Sequence, residues 1–253
     1  METCLLGHGL SSISNEMIGE IWPDLRIELA WVEEGKVKIS TLENFLKIRS
    51  KSRRFRRYNG LEIERGDYQD YGFLTASGTM AVAKKEGFRI VVSCGIGGIS
   101  DIKAEPICYD LNAITDYNVP LIATAFKDMI DYKKTFDWLR EHGALSYGVG
   151  TSVTDGYLFN KKHEPLDGQL DSSPSSLPNL ILNPIPNSKR LKDISILEEG
   201  MLAGIRAEER GDYYHPAANA YFDNASEGYS SIIQLESIRD NIDLAKKIIK
   251  QYN

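Results

Sequence analysis

The apolar residues of this chain form two kinds of pattern, short continuous runs and longer stretches with helical spacing. The continuous runs predict buried strands at 88–94, 119–125, 145–149 and 177–182. A hairpin is predicted from two further segments, 28–32 and 37–39, which flank the turn sequence EEG. Apolar residues three and four positions apart predict helices at 79–86, 128–142, 191–205 and 232–249.

Strands that alternate with helices are typical of a layered α/β domain. We therefore expect an α/β fold, a three-layer α/β/α single domain over residues 1–253 with a mostly parallel or mixed central sheet. The stretch 161–178 contains the polar sequence SSPSS and predicts one long loop. Because no linker divides the chain, one domain is the simplest interpretation.

The composition narrows the class of protein. With 253 residues, 42% of them hydrophobic, the chain can bury a core without a metal or a disulfide. Its apolar runs are far too short to span a bilayer. The net charge of −6 argues against nucleic acid as the main partner, because phosphate neutralisation needs a basic surface. Three cysteines without metal-type spacing, and a start (METCLLGHGL) without a basic segment, predict a cytoplasmic protein rather than a secreted one.

Two candidate features lie where predicted strands end. The glycines at 95–98 follow the first strand, where they allow either a plain turn or close backbone approach to an anionic ligand. Lys127 lies between the predicted strand 119–125 and the predicted helix 128–142. Apolar neighbours and the positive end of a helix would disfavour its ammonium form and favour a nucleophilic amine. The alternative is a surface lysine at a helix start.

Charged residues supply two further candidates. The basic run at 51–57 (KSRRFRR) predicts either a phosphate or carboxylate site or a solvated helix end. Glu2 and His8 flank an apolar segment near the start of the chain, a place where chemistry is uncommon because chain ends are poorly ordered.

Taken together, these residues resemble the pseudouridine-5′-phosphate glycosidase family, also called the indigoidine synthase A-like family. Residues 2–9 (ETCLLGHG) are similar to the family opening E-S-T-I-x-S-H-G, and residues 123–131 (ATAFKDMID) to C-A-G-x-K-S-I-L-D. Four shorter segments also match in order: 75–80 (TASGTM), 94–98 (CGIGG), 110–111 (DL) and 182–186 (LNPIP). The resemblance covers nearly the whole chain.

The resemblance implies a definite chemistry. Members of this family reversibly cleave the C–C glycosidic bond of pseudouridine 5′-phosphate, which gives uracil and ribose 5-phosphate. Because a C-glycoside has no leaving-group oxygen to protonate, the ordinary route with two carboxylates fails. A lysine adduct at C1′ of the opened ribose supplies an electron sink instead. By resemblance, Lys127 is the nucleophile, Glu2 donates a proton to the ring oxygen, and Asp110 holds or deprotonates substrate hydroxyls.

The resemblance also implies a substrate pocket and an assembly. The residues expected to line the pocket are Arg53, Arg56, Arg57, Thr75, Ser93, Gly95, Gly97, Gly98, Asn183 and Gln234. The three arginines are the candidates for holding the phosphate group. Family members form trimers, so a homotrimer is expected.

The sequence departs from the family pattern around the substrate. Residues 97–101 (GGISD) lack the histidine and arginine of the family's G-G-x-H-R-G. Residues 106–110 (PICYD) lack the aspartate that anchors the family's divalent metal, usually manganese, which leaves Glu105 as the only nearby substitute. Gln234 stands where members keep an asparagine that contacts the base. A metal is therefore implied only by the resemblance.

The catalytic lysine, glutamate and aspartate persist while the residues around the substrate differ. The sequence predicts an enzyme that makes or breaks a C-glycosidic bond between ribose 5-phosphate and a nucleobase, with uracil as the first choice. One alternative is a C-nucleoside synthase that uses a different acceptor in nucleoside-antibiotic biosynthesis. Another is an inactive homologue that binds a nucleotide. The expected partners are small molecules, not nucleic acid or membrane.

Overall fold

Two main β-sheets organise the protein, one of five strands and one of four, together with two strand pairs. A computed structural model describes residues 1–23, 27–51, 55–103, 105–170 and 176–251. The strands are β1 (Leu29–Glu33), β2 (Lys36–Ser40), β3 (Arg56–Tyr58), β4 (Gly72–Leu74), β5 (Val91–Val92), β6 (Gly95–Ile96), β7 (Leu121–Ala123), β8 (Ala125–Phe126), β9 (Ser146–Gly148), β10 (Val153–Gly156), β11 (Asn160–Pro165), β12 (Gly168–Gln169) and β13 (Leu180–Leu182).

Helices cover the sheets. The α-helices are α1 (Asn15–Ile21), α2 (Leu42–Arg49), α3 (Gly60–Arg65), α4 (Ala76–Glu86), α5 (Tyr109–Asp116), α6 (Tyr132–Glu141), α7 (Ile194–Glu209), α8 (Tyr214–Ala225) and α9 (Tyr229–Gln251). The described residues also form a π-helical turn (Leu5–Gly9) and a 3₁₀ turn (Asn187–Lys189). Within the described residues, none of the helices combines the length and the apolar character needed to cross a bilayer.

The five-stranded sheet lies between two helical layers. Its order is β12-β9-β13-β7-β5, and every pairing in it is parallel. Successive side chains of a strand point to opposite faces. Ile122 of β7 packs in the same core as Ile242 of α9, whereas its neighbour Leu121 packs in the core that contains Leu111 of α5 and Phe136 of α6. The predicted three-layer α/β/α fold with a parallel central sheet is therefore confirmed.

Local patterns predicted several elements correctly. The hairpin forms as β1 and β2, whose antiparallel register places Glu33 opposite Lys36. Its two turn residues, Glu34 and Gly35, have φ angles of 49° and 67°, and left-handed backbone at both positions matches the twist of the flanking strands. The long amphipathic helix forms as α9 and buries its apolar stripe.

Four predicted elements differ from the structure. The predicted helix 128–142 begins at Tyr132, because Asp131 caps its first turn by accepting a hydrogen bond from the Lys134 backbone. The predicted strands 88–94 and 119–125 are each interrupted, so that β6 and β8 form separate short pairings after β5 and β7. The predicted loop 161–178 contains β11 and β12, and residues 171–175 lie outside the described part.

Two glycines let α8 pack closely on α7. A Cβ added at Gly200 would lie 2.1 Å from the ring of Phe222, and one added at Gly204 would lie 2.7 Å from the ring of Tyr214. Phe222 is fully buried. These contacts fix the position of α8, which borders the cavity described below.

We expect Gly200→Ala to lower the free energy of unfolding by about 1–3 kcal/mol, because the added methyl group must displace the buried Phe222 ring. Gly19→Ala is the matched control, since its added Cβ meets nothing within 4 Å on the exposed helix α1. That control should be neutral or stabilising by up to about 1 kcal/mol. Urea unfolding followed by circular dichroism measures both effects, and equal effects of the two substitutions would contradict the packing argument.

Candidate active site

The short strands β6 and β8 place Gly95 and Lys127 side by side. The two strands pair in parallel, with Gly95 opposite Ala125 and the Lys127 backbone N–H donating to the Ile96 carbonyl at 3.0 Å. A Cβ at Gly95 would lie 2.7 Å from the Tyr157 ring and 3.2 Å from Cγ of Lys127. Only glycine lets both side chains pack against the backbone at this point.

Lys127 does not open a helix. It is followed by a turn in which the Ile130 N–H donates to the Lys127 carbonyl at 3.0 Å, and α6 begins only at Tyr132. The interaction with a helix dipole falls off within the first turn. The expected help from the positive end of a helix is therefore absent, and the lysine's surroundings are set by the strand ends and the side chains that face them.

Glu2 is held at the end of the central sheet. Its backbone N–H donates to the Val92 carbonyl at 2.9 Å, and its carboxylate accepts a hydrogen bond from the Ser93 hydroxyl. The residue is 6% exposed. Burial raises the pKa of Glu2, and this outweighs the lowering by nearby Lys127 and by the Ser93 hydroxyl. Glu2 thus retains a proton to higher pH than a free glutamate does.

The polar face of α9 binds the interrupted strand ends. The side-chain amide of Asn241 donates to the Ser93 carbonyl and to the Thr124 hydroxyl, each at 2.9 Å. The hydroxyl of Ser237 lies 2.8 Å from that of Thr124 and 3.0 Å from the Cys94 thiol. All five residues are buried. The backbone that carries Ser93, and through it the Glu2 carboxylate, is therefore fixed by a helix far away in sequence.

Asp110 acts as a structural clamp in this structure. It lies in the first turn of α5, where its two carboxylate oxygens accept backbone N–H groups from Ser77 and Gly97, each at 2.9 Å. A Cβ at Gly97 would lie 2.2 Å from the sulfur of Cys108, so the glycine is required for this approach. The role of Asp110 in holding or deprotonating substrate hydroxyls stays a prediction.

Asp128, next to Lys127, anchors the segment that carries Tyr157. Its carboxylate accepts the backbone N–H groups of Tyr157 and Leu158, each at 2.9 Å. Burial raises the pKa of Asp128 to about 6. The two backbone hydrogen bonds and the charge of Lys161 lower this pKa, but by less than burial raises it. The Tyr157 ring is thereby held against Gly95 and Lys127.

Glu2 and Lys127 line one narrow cavity. Its wall also includes Gly95, Arg57, Gln234 and His215. The free volume is about 20 Å³, which is the room of a single water molecule. The sequence predicts that Glu2, Lys127 and Asp110 converge at one end of the central sheet. In the structure Glu2 and Lys127 line this cavity, and Asp110, which is not among the lining residues, lies close enough to raise the pKa of Glu2.

The predicted arginines do not share one position. Arg57 lines the cavity, whereas Arg56, its neighbour on β3, is 57% exposed in its side chain and lies 3.9 Å from Glu62. The two point apart because successive strand residues face opposite sides. Arg53 lies outside the described residues.

Three other predicted pocket residues are not among the residues that line this cavity, and each has a structural role. Thr75 caps α4 by accepting the Gly78 N–H. Gly98 allows close packing on α6, since a Cβ there would lie 2.7 Å from the Thr135 hydroxyl. Asn183 borders a separate groove and donates to the Asn241 side chain at 3.0 Å.

The structure also places His215 at the cavity, which sequence reasoning missed. Its Nδ1 is buried and has no hydrogen-bond partner among the described residues. Burial, together with the positive charges of Lys127 and Arg57, lowers the pKa of His215 well below its ordinary value. A lone histidine in a polar stretch has no periodicity or motif, so the sequence carries no local signal for it. His215 lines the same cavity as Lys127 only because α8 packs closely on α7.

The described residues do not fit a divalent metal. Burial raises the pKa of Glu105, and the nearby Asp110 raises it further. Both oxygens of Asp110 are already used by backbone N–H groups. No group of three or more His, Cys, Asp or Glu side chains in the described ranges is arranged to hold a metal ion, so we derive no step through a metal.

Residues 52–251 match the profile of a known family, described as indigoidine synthase A like protein. The match covers most of the chain. The protein belongs to the indigoidine synthase A-like family. The resemblance noted from the motifs is thereby confirmed.

Individual relatives of this family member are distant. A pseudouridine-5′-phosphate glycosidase 2 of Photorhabdus laumondii is 22% identical, over 98% of this chain and 88% of its own length. Pseudouridine-5′-phosphate glycosidases of Geobacillus kaustophilus and Salinispora tropica are 23% and 25% identical. These two alignments span only 66% and 60% of the relatives' lengths.

Two solved structures share the fold of this indigoidine synthase A-like protein. An indigoidine synthase A-like protein of Thermotoga maritima superposes with a TM-score of 0.78 at 19% identity. The prealnumycin C-glycosynthase AlnA, in complex with ribulose 5-phosphate, superposes with a TM-score of 0.74 at 17% identity. Each comparison covers 98% of this chain and 90% of the other.

The clamp formed by Asp110 yields a test. In Asp110→Asn only one side-chain oxygen remains, so one of the two buried backbone N–H groups loses its acceptor. We expect the free energy of unfolding to fall by about 1–3 kcal/mol, as measured by urea denaturation. Asp137→Asn on the exposed face of α6 is the control and should change it by less than about 0.5 kcal/mol. A variant at Asp110 as stable as the parent would show that the clamp is not needed.

Proposed function

We propose that this protein makes or breaks a C-glycosidic bond at C1′ of a ribose 5-phosphate unit, with Lys127 as nucleophile and Glu2 as proton donor. The observation that carries the proposal is that both side chains line one cavity at the end of the parallel sheet. Relatives named pseudouridine-5′-phosphate glycosidase support the substrate class. So does the fold shared with a C-glycosynthase bound to ribulose 5-phosphate.

A C-glycoside has no leaving-group oxygen that could be protonated, so its cleavage needs a covalent adduct at C1′. In the cleavage direction the Lys127 amine forms a bond to C1′, the bond from C1′ to the ring oxygen breaks, and the Glu2 proton goes to that oxygen. The nitrogen lone pair then forms a C=N bond as the C1′–C5 bond breaks. The base carbon gains a proton, which balances the one that the attacking amine lost. Water hydrolyses the iminium to ribose 5-phosphate and free lysine, and the proton that this releases returns to the Glu2 carboxylate.

Burial prepares Glu2 for this role. A general acid must hold its proton near neutral pH, and burial raises the pKa of Glu2 in that direction. The hydrogen bond from Ser93 keeps the carboxyl oriented.

A ribose 5-phosphate molecule is far larger than the free volume of the cavity. Binding therefore requires outward movement of its cover, which consists of the π-helical turn Leu5–Gly9 and the first turn of α8. Asp110 accepts the backbone N–H of Gly97, two residues after the cavity-lining Gly95. π-Helical turns are frequent at functional sites, and this one begins at Leu5, three residues after Glu2.

The second candidate function is synthesis of a C-glycoside with an acceptor other than uracil. Gln234 stands where family members keep the base-contacting asparagine. Its oxygen accepts a hydrogen bond from the Tyr157 hydroxyl at 3.0 Å, and its amide nitrogen donates to the Ser230 carbonyl at 3.1 Å. Because both ends of the amide are occupied, the group is poorly placed to read a uracil edge.

One assay separates these candidates. Uracil and ribose 5-phosphate are incubated with the enzyme, with and without manganese. Formation of pseudouridine 5′-phosphate supports the first function, and product only with another heterocycle or aromatic acceptor supports the second. Saturable binding of the sugar phosphate without any product would indicate an inactive homologue. The three cysteines are free thiols, which suits the reducing cytoplasm that we propose as its location.

Lys127 provides the sharpest test of the mechanism. Treatment with ribose 5-phosphate and borohydride should leave a reduced sugar adduct on Lys127, identified by peptide mass. Lys127→Arg should abolish both adduct and turnover, because a guanidinium stays protonated and is not nucleophilic at neutral pH. Lys133→Arg, at an exposed amine on α6, should retain both. An adduct on another lysine, or turnover by the arginine variant at 127, would overturn the assignment.

Glu2→Gln separates the acid from the nucleophile. The variant should lose about 10²- to 10⁴-fold in turnover, the usual contribution of general acid catalysis. It should still form the borohydride-trapped adduct, because open-chain ribose 5-phosphate needs no ring opening. For the parent, turnover should fall as pH rises through the raised pKa of Glu2, and the variant should lack this limb of the pH profile. Loss of the adduct in Glu2→Gln would contradict the division of roles.

A further inference from the structure

Arg57 and His215 line the same cavity, which the start of α8 borders. The ring centre of Tyr213, the residue before α8, lies 5.6 Å from the guanidinium carbon of Arg57. The Tyr213 hydroxyl also lies 3.4 Å from the Arg57 backbone nitrogen. His215, two residues further on, lines the same cavity as Arg57 and Lys127. The start of α8 and strand β3 are thereby held together on one side of the cavity.

From this arrangement we propose that Arg57 and His215 form the subsite that binds the phosphate group of the sugar phosphate. The inference rests on the proposed function for its substrate class. It assigns a binding residue, His215, and distinguishes Arg57 from the other arginines of the basic run.

Arg57 is a cation without a paired anion. Among the described residues, no carboxylate lies within the 4.0 Å of an ion pair with its guanidinium. Its side-chain hydrogen bond goes to the Cys4 thiol, and burial raises the pKa of Cys4 to about 12, so the thiol stays neutral. Glu2 and Glu105 act on Arg57 only over longer distances. An anion in the cavity would supply the missing partner, and a guanidinium binds phosphate oxygens in a bidentate manner.

His215 lacks a partner in the same place. Its buried Nδ1 has no hydrogen-bond partner in the described part of the chain. The charged groups that act on it are Lys127 of the strand end and Arg57 of β3, and Glu2 and His8 of the N-terminal segment line the same cavity. A buried polar atom without a partner costs about 1–3 kcal/mol. A phosphate oxygen would satisfy it.

A doubly charged anion explains the cluster better than a neutral base does. Lys127, Arg57 and the imidazoles of His8 and His215 line the cavity, while the one carboxyl group among the lining residues, Glu2, has a raised pKa. Tyr213 makes no side-chain cap at the start of the 12-residue helix α8, so the first-turn N–H groups add to the positive potential. A neutral heterocycle would leave Arg57 unpaired.

The arrangement has a consequence for protons. In the free protein His215 is neutral at neutral pH, because burial and the two cations oppose its charge. A bound phosphate dianion reverses the sign of the local potential and raises the pKa of His215. Binding of ribose 5-phosphate should therefore take up protons on the imidazole.

Calorimetric titration of ribose 5-phosphate, ribose and inorganic phosphate tests the subsite without turnover. We expect Arg57→Gln to weaken ribose 5-phosphate binding about 30- to 100-fold, as for loss of a charged hydrogen-bond pair. Arg56→Gln, one residue away on β3 but facing out, should change it less than about twofold. His215→Ala should weaken it about 10-fold, and His215→Asn, which keeps a donor, by less. His163→Ala, at an exposed histidine, is the second control.

Titration at about pH 7.5 in two buffers of different ionisation enthalpy measures the proton uptake. The parent should take up a fraction of a proton with ribose 5-phosphate and with inorganic phosphate, but not with ribose. His215→Ala should lose this uptake while its circular dichroism and urea midpoint stay close to those of the parent. If the alanine variant fails to fold, the asparagine variant provides the same comparison, because its amide does not titrate.

The subsite and the proposed function can fail separately. Phosphate-dependent binding that depends on Arg57 and His215 supports the subsite even if no C–C bond is made. A borohydride adduct on Lys127 with unchanged ribose 5-phosphate affinity in the Arg57 and His215 variants would overturn the subsite alone. Equal losses for ribose and ribose 5-phosphate would also overturn it, because they would place these residues at the sugar or acceptor.

Discussion

Everything at the candidate site depends on how the protein satisfies the polar groups exposed where the parallel strands break. Strands β5 and β7 stop pairing after two and three residues, and the chain pairs again as β6 and β8. Asn241 of α9 donates to the Ser93 carbonyl and the Thr124 hydroxyl within this break. Each such group would cost about 1–3 kcal/mol if it were buried without a partner. The helix therefore permits the interruption that lets Ser93 hold Glu2 and lets Lys127 follow β8.

Burial is the largest influence on the pKa values of both Glu2 and His215 in the cavity. Lys127 and Arg57 lower the pKa of Glu2, yet desolvation raises it by more. For His215, desolvation and the same two cations act together and lower its pKa. Lys127 and Arg57 thus lie near a carboxyl group, Glu2, whose pKa is raised, and near an imidazole, His215, whose pKa is lowered. That combination suits a site which binds an anion and delivers a proton to oxygen.

Two buried carboxylates and two helical turns surround the cavity. On one side, Asp110 clamps the glycine segment after β6 to α4, and Asp128 clamps the segment that carries Tyr157. On the other side, the π-helical turn after Glu2 and the start of α8 close over a volume of about 20 Å³. The two buried carboxylates already use their oxygens for backbone hydrogen bonds, which holds both clamped segments in place.

The sequence by itself determined the features that depend on neighbouring residues. The spacing of apolar residues predicted α9, the EEG turn predicted the hairpin, and ordered motifs around Glu2 and Lys127 identified the family. The tertiary structure alone decided the rest. The start of α6 moved to Tyr132 because of the Asp131 cap, Arg57 rather than Arg56 faces the cavity because of the register of β3, and His215 reaches Lys127 because α8 packs on glycines of α7. Local patterns report which face of an element is apolar, whereas the side chains that share a cavity are chosen by contacts between residues tens to hundreds of positions apart.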